Sequence, residues 1–411
     1  MWDKLDLRIP FHEFHVSETS LTNDQRTGSV DIRDYDFPAD CPVMFVEGER
    51  VYSDPKARKW ETISSSISSV AVGFHPEGNG FYPWPHVSIK ASPNKILQGH
   101  NVFGSENIRP GLYQMLASLQ MAFPKIYQHL DIENSEVRYL DSTYSAFVPS
   151  TYQRNQLINL VEAVFPNKEM ISRHVGYVQA NRCSEYFRQK VYYKEQELLA
   201  DLDTCKRQRN QSRVDILSDK RLQDFAYGRL RLEATSGHRG LDRLGIPRRL
   251  PEFLRFHDWF QSVHKEPLCQ YLWSTAFKKV FSQIEGHTMK NVDDEKIKLE
   301  IESRFITVSA SGRLNRRKAN AIYQTYRNIK SEGYDQLAKE KSSTFYRNVK
   351  CLEEIGLSRG FLKSLDPRRP HDNVVPMVQL IRVDFTNQRP DWYVEPESGF
   401  DDKRRHLRLV A

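Results

Sequence analysis

The sequence lacks the features that mark membrane proteins and disulfide-rich secreted proteins. Its apolar runs fall short of the roughly 18 residues that a helix needs to cross a bilayer, and the charged N-terminus is unlike a signal peptide. Its five cysteines are scattered and form no Cys-x-x-Cys pair, so neither a zinc knuckle nor a disulfide framework is indicated. We therefore expect no membrane partner and a reducing cytoplasm.

Length and charge give the first positive indications. A chain of 411 residues exceeds the usual size of one hydrophobic core, which predicts two or three domains. A hydrophobic fraction of 39% is enough to build packed cores. The net charge of +7 favours a polyanionic partner such as nucleic acid.

The hydrophobic patterning predicts a mixed α+β layout. No internal repeat or low-complexity linker is present, and a polar stretch at Gly286 to Asp294 is the best candidate for a domain boundary. We predict strands at Leu5–Phe14, Val43–Val51, Ser64–Val72 and Val137–Val148, and the end of a further strand at Lys190–Tyr193. Helices are predicted at Gly111–Leu130, Asn155–Phe165 and Lys194–Leu202.

Two adjacent tyrosines, Tyr192 and Tyr193, stand out because cations surround them. A tyrosine phenolate can attack a DNA phosphodiester and hold the 5′ end as a phosphotyrosine, which keeps the bond energy for later rejoining. A phenol of pKa about 10 needs cations or a metal ion nearby to do so. In a strand the two tyrosines point to opposite faces, so one of them can serve a site, and either can instead be ordinary packing. The nearby cations are Arg182, Arg188, Lys190 and Lys194.

Two carboxylates occur in strand-like contexts that suit a metal site. Asp141 interrupts an alternating run, and Glu233 shares a face with Arg229 and Arg231. His100, in a polar loop between Gly99 and Asn101, is the candidate third ligand. Carboxylate and imidazole ligands suit Mg²⁺ or Mn²⁺. The alternatives are arginine-paired surface acids and a loop-stabilising histidine.

Arg182 and Arg188 are also candidates for contact with DNA, as are several residues elsewhere in the chain. Lys90 shares one face of a predicted strand with His86 and Ser88. Near the C-terminus, the segment from Tyr334 to Leu357 reads as helix, turn and second helix, with an apolar set that fits a shared helix-turn-helix core. Arg347, Asn348 and Lys350 would then face a DNA groove, although a helix pair without any DNA role has the same pattern.

Several of these segments resemble the gene II replication proteins of filamentous phages. The resemblance rests first on Ile89–Pro93 with Leu97–Gly104, and then on Asn373–Pro376, Val383–Phe385, Gln388–Tyr393 and Glu395–Pro396. Weaker similarity runs from Leu5 to Pro396. The basic tail from Lys403 to Arg408 looks like a local addition.

The resemblance implies a nuclease that nicks one strand at the viral origin and rejoins it after a round of rolling-circle copying. The family's nucleophile lies in a Tyr-x-Lys-x-x-Glu-Leu context, which matches Tyr192, Lys194, Glu197 and Leu198. The adjacent Tyr193 is the alternative nucleophile, or a second tyrosine that assists closure. Asp141 and Glu233 are also similar to the metal-binding carboxylates of plasmid rolling-circle initiators. One departure is that the chain has no His-x-His motif, with which many such nickases hold their metal.

The expected fold class is therefore α+β, with an antiparallel-sheet nickase domain of rolling-circle-initiator type and a mainly helical C-terminal domain containing a helix-turn-helix. We place the nickase at 1–288 and the DNA-binding domain at 289–411, with Met289 as a candidate internal start. The resemblance implies several partners: viral double-stranded origin DNA and its displaced strand, host helicase, host DNA polymerase, single-strand-binding protein and further copies of this chain on DNA.

Two other functional classes fit parts of the sequence. A non-catalytic DNA-binding regulator explains the positive charge and the helix-turn-helix, but leaves the Tyr192–Lys194 segment as ordinary structure. A tyrosine recombinase would need a His-x-x-Arg pair upstream of its tyrosine, and the sequence contains none. The nicking enzyme, acting in the cytoplasm of a bacterial host, is the interpretation that uses most of the observed motifs.

Overall fold

A large antiparallel sheet organises the first two thirds of the chain. The computed structural model describes residues 1–22, 25–40, 43–46, 49–52, 56–65, 68–78, 82–148, 158, 161–162, 171–174, 177–285, 294–308, 314–339, 343–355, 357, 359–365 and 383–398. Within them the sheet has nine strands, in the order β12-β13-β14-β15-β11-β1-β10-β9-β8. The strands are β1 (Trp2–Pro10), β2 (Ser17–Thr22), β3 (Gln25–Ser29), β4 (Ala39–Asp40), β5 (Val43–Val46), β6 (Glu49–Tyr52), β7 (Lys56–Ala57), β8 (Glu61–Ser64), β9 (Ser69–His75), β10 (His86–Ala91), β11 (Glu136–Phe147), β12 (Ile171–His174), β13 (Tyr177–Ala180), β14 (Phe187–Tyr193), β15 (Arg229–Gly237), β16 (Thr307–Val308) and β17 (Leu314–Asn315).

Helices cover one face of this sheet and form most of the C-terminal third. In chain order they are α1 (Pro93–Gln98), α2 (Arg109–Ala122), α3 (Pro124–His129), α4 (Lys194–Arg207), α5 (Gln211–Leu217), α6 (Lys220–Ala226), α7 (His238–Arg243), α8 (Leu250–His264), α9 (Leu268–Glu285), α10 (Asp294–Phe305), α11 (Arg317–Glu332), α12 (Tyr334–Lys339), α13 (Ser343–Glu354) and α14 (Arg359–Ser364). The mixture of helices with an antiparallel sheet confirms the α+β class. In the described part of the chain, no helix is both long enough and apolar enough to cross a bilayer.

The sheet has one apolar and one polar face because its strands alternate. In β1, Leu5, Leu7 and Ile9 are fully buried among the helices, whereas Asp6 and Arg8 point the other way. Helices α2, α8 and α9 pack on the apolar face and build the main core with it. The polar face is the side of the sheet on which the candidate site lies.

Several predicted elements are confirmed and others need correction. The strands at β11 and β14 and the helix starting at Lys194 are where the patterning placed them, and this helix continues to Arg207. The strand predicted at Ser64–Val72 is confirmed only from Ser69, where β9 begins; Ser65 and Ser68 instead hydrogen-bond to each other between β8 and β9. The helix predicted at Gly111–Leu130 is two helices, because Pro124 cannot continue α2 and starts α3 instead. The strand predicted at Val43–Val51 is a pair, β5 and β6, and most of the predicted helix Asn155–Phe165 lies outside the described residues.

A second apolar core lies among the C-terminal helices. Ile301 of α10, Tyr326 of α11 and Val349 of α13 are buried together. The predicted helix pair corresponds to α12 and α13, and its apolar positions all contribute to this core. The proposed start at Met289 lies outside the described residues, between the end of α9 and the start of α10.

Candidate active site

The two adjacent tyrosines lie at a junction, where β14 ends and α4 begins. Tyr193 packs in the main apolar core, and Tyr192 therefore lies on the polar face. Tyr192 is opposite Arg231 on β15 and is therefore a diagonal neighbour of Glu233, which lies two residues further along that strand on the same face. The junction thus presents one of the two phenols to the polar face.

Asp141 and Glu233 lie on neighbouring strands of the same face. Asp141 is paired with Thr235, two residues from Glu233, so the two acids are diagonal neighbours across β11 and β15. Burial, followed by the charge of Glu233, raises the pKa of Asp141 to about 8. Burial raises the pKa of Glu233 as well, and Asp3 contributes to both shifts. Asp3, Asp141 and Glu233 therefore lie close enough together for their charges to affect one another.

The phenol of Tyr192 is protonated in this environment. Burial raises its pKa well above the usual value and the charge of Glu233 adds to this, while Arg231 acts in the opposite direction. The Lys190 ammonium lies 4.7 Å from the centre of the Tyr192 ring. Because a raised pKa makes a carboxylate a stronger base, Glu233 is well suited to accept the phenol proton.

Lys194 is a fully buried cation one turn from Glu197 on α4. Its ammonium donates hydrogen bonds to Glu197 and, at 2.7 Å, to the side-chain oxygen of Asn101. Burial outweighs the attraction of Glu197 and lowers the pKa of Lys194 to about 8. Burial alone would raise the pKa of Glu197, but the charges of Lys194 and Lys95 outweigh it and lower the pKa of this carboxyl to about 2.

Asn101 joins this cation to the acidic cluster. Its side-chain NH₂ donates to the Asp3 carboxylate at 2.7 Å, while its side-chain oxygen accepts from Lys194. The guanidinium of Arg231 donates to the backbone carbonyl oxygens of Asn101 and Val102. The loop containing Asn101 is thus fixed to both sides of the site.

His100 is not brought together with the two acids. Its Nδ1 accepts a hydrogen bond from the backbone N–H of Val102 at 3.3 Å. Burial, followed by the charges of Lys194 and Arg231, lowers the pKa of His100 to about 3. Such cationic surroundings oppose a metal ion. Across the described ranges, no three His, Cys, Asp or Glu side chains form a group that could hold a metal, so the predicted trio is not assembled.

The acids nevertheless match a divalent cation in chemistry and charge. Carboxylate oxygens are the ligands that Mg²⁺ and Mn²⁺ prefer. Burial and mutual repulsion raise the pKa of Asp141, and a bound cation would relieve both effects. Asp141 and Glu233, with Asp3 beside them, therefore remain the predicted metal ligands.

Cations and aromatic rings alternate on the polar face around the site. The Arg188 guanidinium lies 4.4 Å from the centre of the Tyr139 ring, and the Lys90 ammonium lies 4.1 Å from that of Trp60. Lys90 also pairs with Asp6 at 3.2 Å. Rings and positive charges in this arrangement suit single-stranded nucleic acid, since bases stack on rings and phosphates attract cations.

The remaining predicted DNA contacts differ in accessibility. Arg182 is exposed in the turn before β14, and Arg347 and Lys350 are exposed on α13. Asn348 instead faces α11, where its side-chain NH₂ donates to Thr325 Oγ1 at 2.8 Å and to the Ala321 carbonyl at 3.3 Å. The structure thus exposes the two cations of α13 to solvent and places the amide against the neighbouring helix.

Sequence reasoning missed Asp3 and Asn101. Asp3 is one acid in a charged N-terminal run, and it enters the site because β1 is irregular between Trp2 and Lys4. Asn101 lies inside the Leu97–Gly104 segment that resembled the phage proteins. That resemblance was the one available signal, since no local pattern predicts its contact with Lys194.

Comparison with known proteins gives a consistent family. Residues 1–262 match the family described as the N-terminal part of a phage replication-associated protein, and residues 308–399 match the family described as the C-terminal part of the same protein. The chain is 31% identical to the replication-associated protein of Salmonella phage IKe, over 98% of each chain. It is 30% identical to the proteins of the same name from Enterobacteria phages f1 and M13, over 96% of this chain and 99% of theirs.

Fold and site define an α+β protein whose antiparallel sheet carries a tyrosine and a cluster of acids on its polar face. Within that class, the chain belongs to the family of replication-associated proteins of filamentous phages. The resemblance to the gene II replication proteins is thereby confirmed.

Proposed function

We propose that this protein initiates rolling-circle replication of a phage genome by nicking one strand of the double-stranded origin through Tyr192. The observation that carries the proposal is that Tyr192 and Asp141 are both diagonal neighbours of Glu233 on the polar face of the sheet, from the strands on either side of it. Family membership supports the biological setting.

In the nicking step, the phenol oxygen of Tyr192 attacks the phosphorus of one phosphodiester. A bond forms between that oxygen and the phosphorus, and the bond from phosphorus to the 3′ oxygen breaks. The phenol proton passes to Glu233, and the departing 3′ oxygen takes a proton from water. The products are a 5′-phosphotyrosine and a free 3′ hydroxyl from which a polymerase can extend.

Rejoining is the reverse of this step. A 3′ hydroxyl loses its proton to water and attacks the phosphotyrosine, the bond from phosphorus to the phenol oxygen breaks, and Glu233 returns the proton to Tyr192. No nucleotide cofactor is needed because the phosphotyrosine keeps the energy of the original bond. One site would then serve as both nuclease and strand joiner, releasing a closed single-stranded circle.

A bound Mg²⁺ or Mn²⁺, held by Asp141 and Glu233 with Asp3 nearby, would polarise the scissile phosphate and offset charge that develops on it. Lys194, which directly follows the strand of Tyr192, donates hydrogen bonds that hold Asn101 and Glu197 in place. The residues of the chain supply the nucleophile, the proton acceptor and their orientation.

The DNA would meet two surfaces. The displaced strand follows the cations and rings of the polar face, with Lys90, Arg188 and Arg182 contacting phosphates. The duplex origin meets the exposed cations Arg347 and Lys350 of the C-terminal helices. Host helicase, polymerase and single-strand-binding protein act on the products in the bacterial cytoplasm, and several copies can assemble on the origin.

The test compares wild type with Tyr192→Phe and Tyr193→Phe on supercoiled replicative-form DNA of the parent phage with Mg²⁺. Nicked circles and covalent protein–DNA adducts are scored on a denaturing gel. We expect Tyr192→Phe to lose both products and Tyr193→Phe to retain them, since Tyr193 packs in the core. DNA binding by wild type with neither nicking nor adduct would overturn the proposal and favour a non-catalytic DNA-binding regulator.

A further inference from the structure

The chain returns from the C-terminal helices to the sheet as a segment of residues 383–398, which we call the strap. Val383 packs against the main core, and the Phe385 ring lies 5.0 Å from that of Tyr144 and 5.7 Å from that of Trp273, between ring centres. The strap therefore packs on the apolar core of the sheet, although it follows the helical region in sequence.

Gln388 pairs with β11 at a position beyond the end of β1, the strand that otherwise borders β11 on this side. Met1 is the last residue alongside this edge, where it exchanges backbone hydrogen bonds with Thr143. Two residues further along β11, the backbone of Ser145 faces the same side. There the Gln388 side chain accepts from the Ser145 N–H at 2.8 Å and donates to the Ser145 carbonyl at 2.9 Å. A side-chain amide thus takes the place of a strand residue.

The rest of the strap packs on the loop Gly99–Glu106. Arg389 donates to the Gly104 carbonyl at 3.1 Å and pairs with Glu106 at 2.8 Å. The rings of Trp392 and Tyr393 meet the buried ring of Phe103 edge-on, with ring centres 5.1 and 5.6 Å apart. Two segments that carried the family resemblance, almost 290 residues apart in sequence, are therefore in direct contact.

The same loop reaches the candidate active site on its other side. Asn101 contacts both Lys194 and Asp3, and Arg231 binds the backbone carbonyls of Asn101 and Val102. The loop begins at a position that requires glycine. Gly99 has a φ of +80°, and a Cβ there would lie 2.6 Å from Ile216 Cδ1.

We propose that the strap is a positioning element for the nicking reaction: by holding the loop Gly99–Glu106, it fixes Asn101, and through it Lys194 and Asp3, beside Tyr192. This inference rests on the proposed function. It assigns to the residues after the C-terminal helices a role in catalysis, in addition to any role of those helices in binding DNA.

The strap follows α14 in the chain and ends against the loop that contacts the acids, where the Ser105 hydroxyl donates a hydrogen bond to the Glu395 carboxylate.

The experiment uses full-length protein with Trp392→Ala, the conservative variant Trp392→Phe, and Val394→Ala as a matched control. Val394 lies in the same strap with 80% of its surface exposed. The rate of nicking at saturating DNA is measured separately from the dissociation constant for origin DNA, and circular dichroism checks folding. We expect Trp392→Ala to slow nicking about 10- to 100-fold with little change in affinity. Trp392→Phe should recover most of the rate, and Val394→Ala should behave as wild type.

A second variant covers the case in which Trp392→Ala does not fold. Arg389→Ala removes the contacts with Gly104 and Glu106 while leaving the contact between the Trp392 and Phe103 rings in place. A rate equal to that of Val394→Ala in every folded strap variant would overturn the positioning role and leave the nicking function intact. Absence of nicking in wild type would overturn both, so the two failures are distinguishable.

Discussion

Tyr192 and Glu233 are diagonal neighbours on adjacent strands of the polar face, while the neighbouring Tyr193 is packed in the core. The alternation of a β-strand separates these two residues, and the register between β14 and β15 places the acid within reach of only one of them. A burial-raised pKa makes Glu233 a proton acceptor as well as a candidate metal ligand. The two roles make different predictions.

Glu233→Gln should slow nicking by about 10²- to 10⁴-fold, because the amide cannot accept the phenol proton. The wild-type rate should fall as the pH drops through the raised pKa of Glu233, and this dependence should disappear in the variant. Single-turnover nicking across a pH series measures both effects. Glu252→Gln, which changes a surface acid paired with Arg249, is the control and should retain the full rate. A rate for Glu233→Gln close to that of Glu252→Gln would exclude the proton-acceptor role.

Asp141→Asn should stabilise the metal-free protein at neutral and alkaline pH. The folded-state pKa of Asp141 is about 8 and the unfolded value is near 3.8, so the folded state holds this proton more tightly. The stability it contributes is complete below pH 3.8 and is lost as the pH rises to about 8, at up to about 1.4 kcal/mol per pH unit. Asn carries no such proton. Urea unfolding in EDTA at pH 4, 6 and 8 measures this. The free energy of unfolding of Asp141→Asn should increase relative to that of wild type up to about pH 8, whereas a difference that does not change with pH would contradict the raised pKa.

Mn²⁺ should raise the Tm of wild type and have little effect on Asp141→Asn. A ligand that binds only the folded state stabilises it by mass action, and the amide removes one of the charges that would bind the ion. His100→Gln should respond to Mn²⁺ as wild type does, because His100 lies among cations away from the acids. Thermal melts with and without Mn²⁺, at a pH near 8, measure this independently of nicking. Loss of the shift in His100→Gln would return the histidine to the ligand set.

Local sequence pattern was sufficient to predict those parts of the site that depend on a single strand or helix. The alternation before Lys194 and the helical spacing after it predicted the junction at Tyr193, and therefore the opposite orientation of the two tyrosines. Asp141 and Glu233 were also identified, because each interrupts or flanks an apolar alternating run. These features are local and are visible in a single sequence.

Contacts between distant segments could not be predicted in this way. Lys194 and Asn101 are 93 residues apart, and Gln388 and Ser145 are 243 residues apart. No periodic pattern in the sequence predicts either contact, because each depends on how whole strands and helices pack against one another. The same limit applies to His100, whose polar loop suggested a metal ligand until the surrounding cations Lys194 and Arg231 were placed.

The C-terminal helices provide a test that separates folding from DNA binding. Asn348→Ala should destabilise the protein by about 1 kcal/mol, because it removes hydrogen bonds to Thr325 and Ala321 on α11. Arg347→Ala and Lys350→Ala change exposed cations and should leave the Tm nearly unchanged. Each should instead weaken binding of duplex origin DNA and reduce the dependence of the binding constant on salt, with the log–log slope falling by about one. Binding measured at several salt concentrations, together with thermal melts, distinguishes these effects. An unchanged slope for both cation variants would mean that α13 does not contact DNA phosphates, and the duplex would then have to bind elsewhere on the protein.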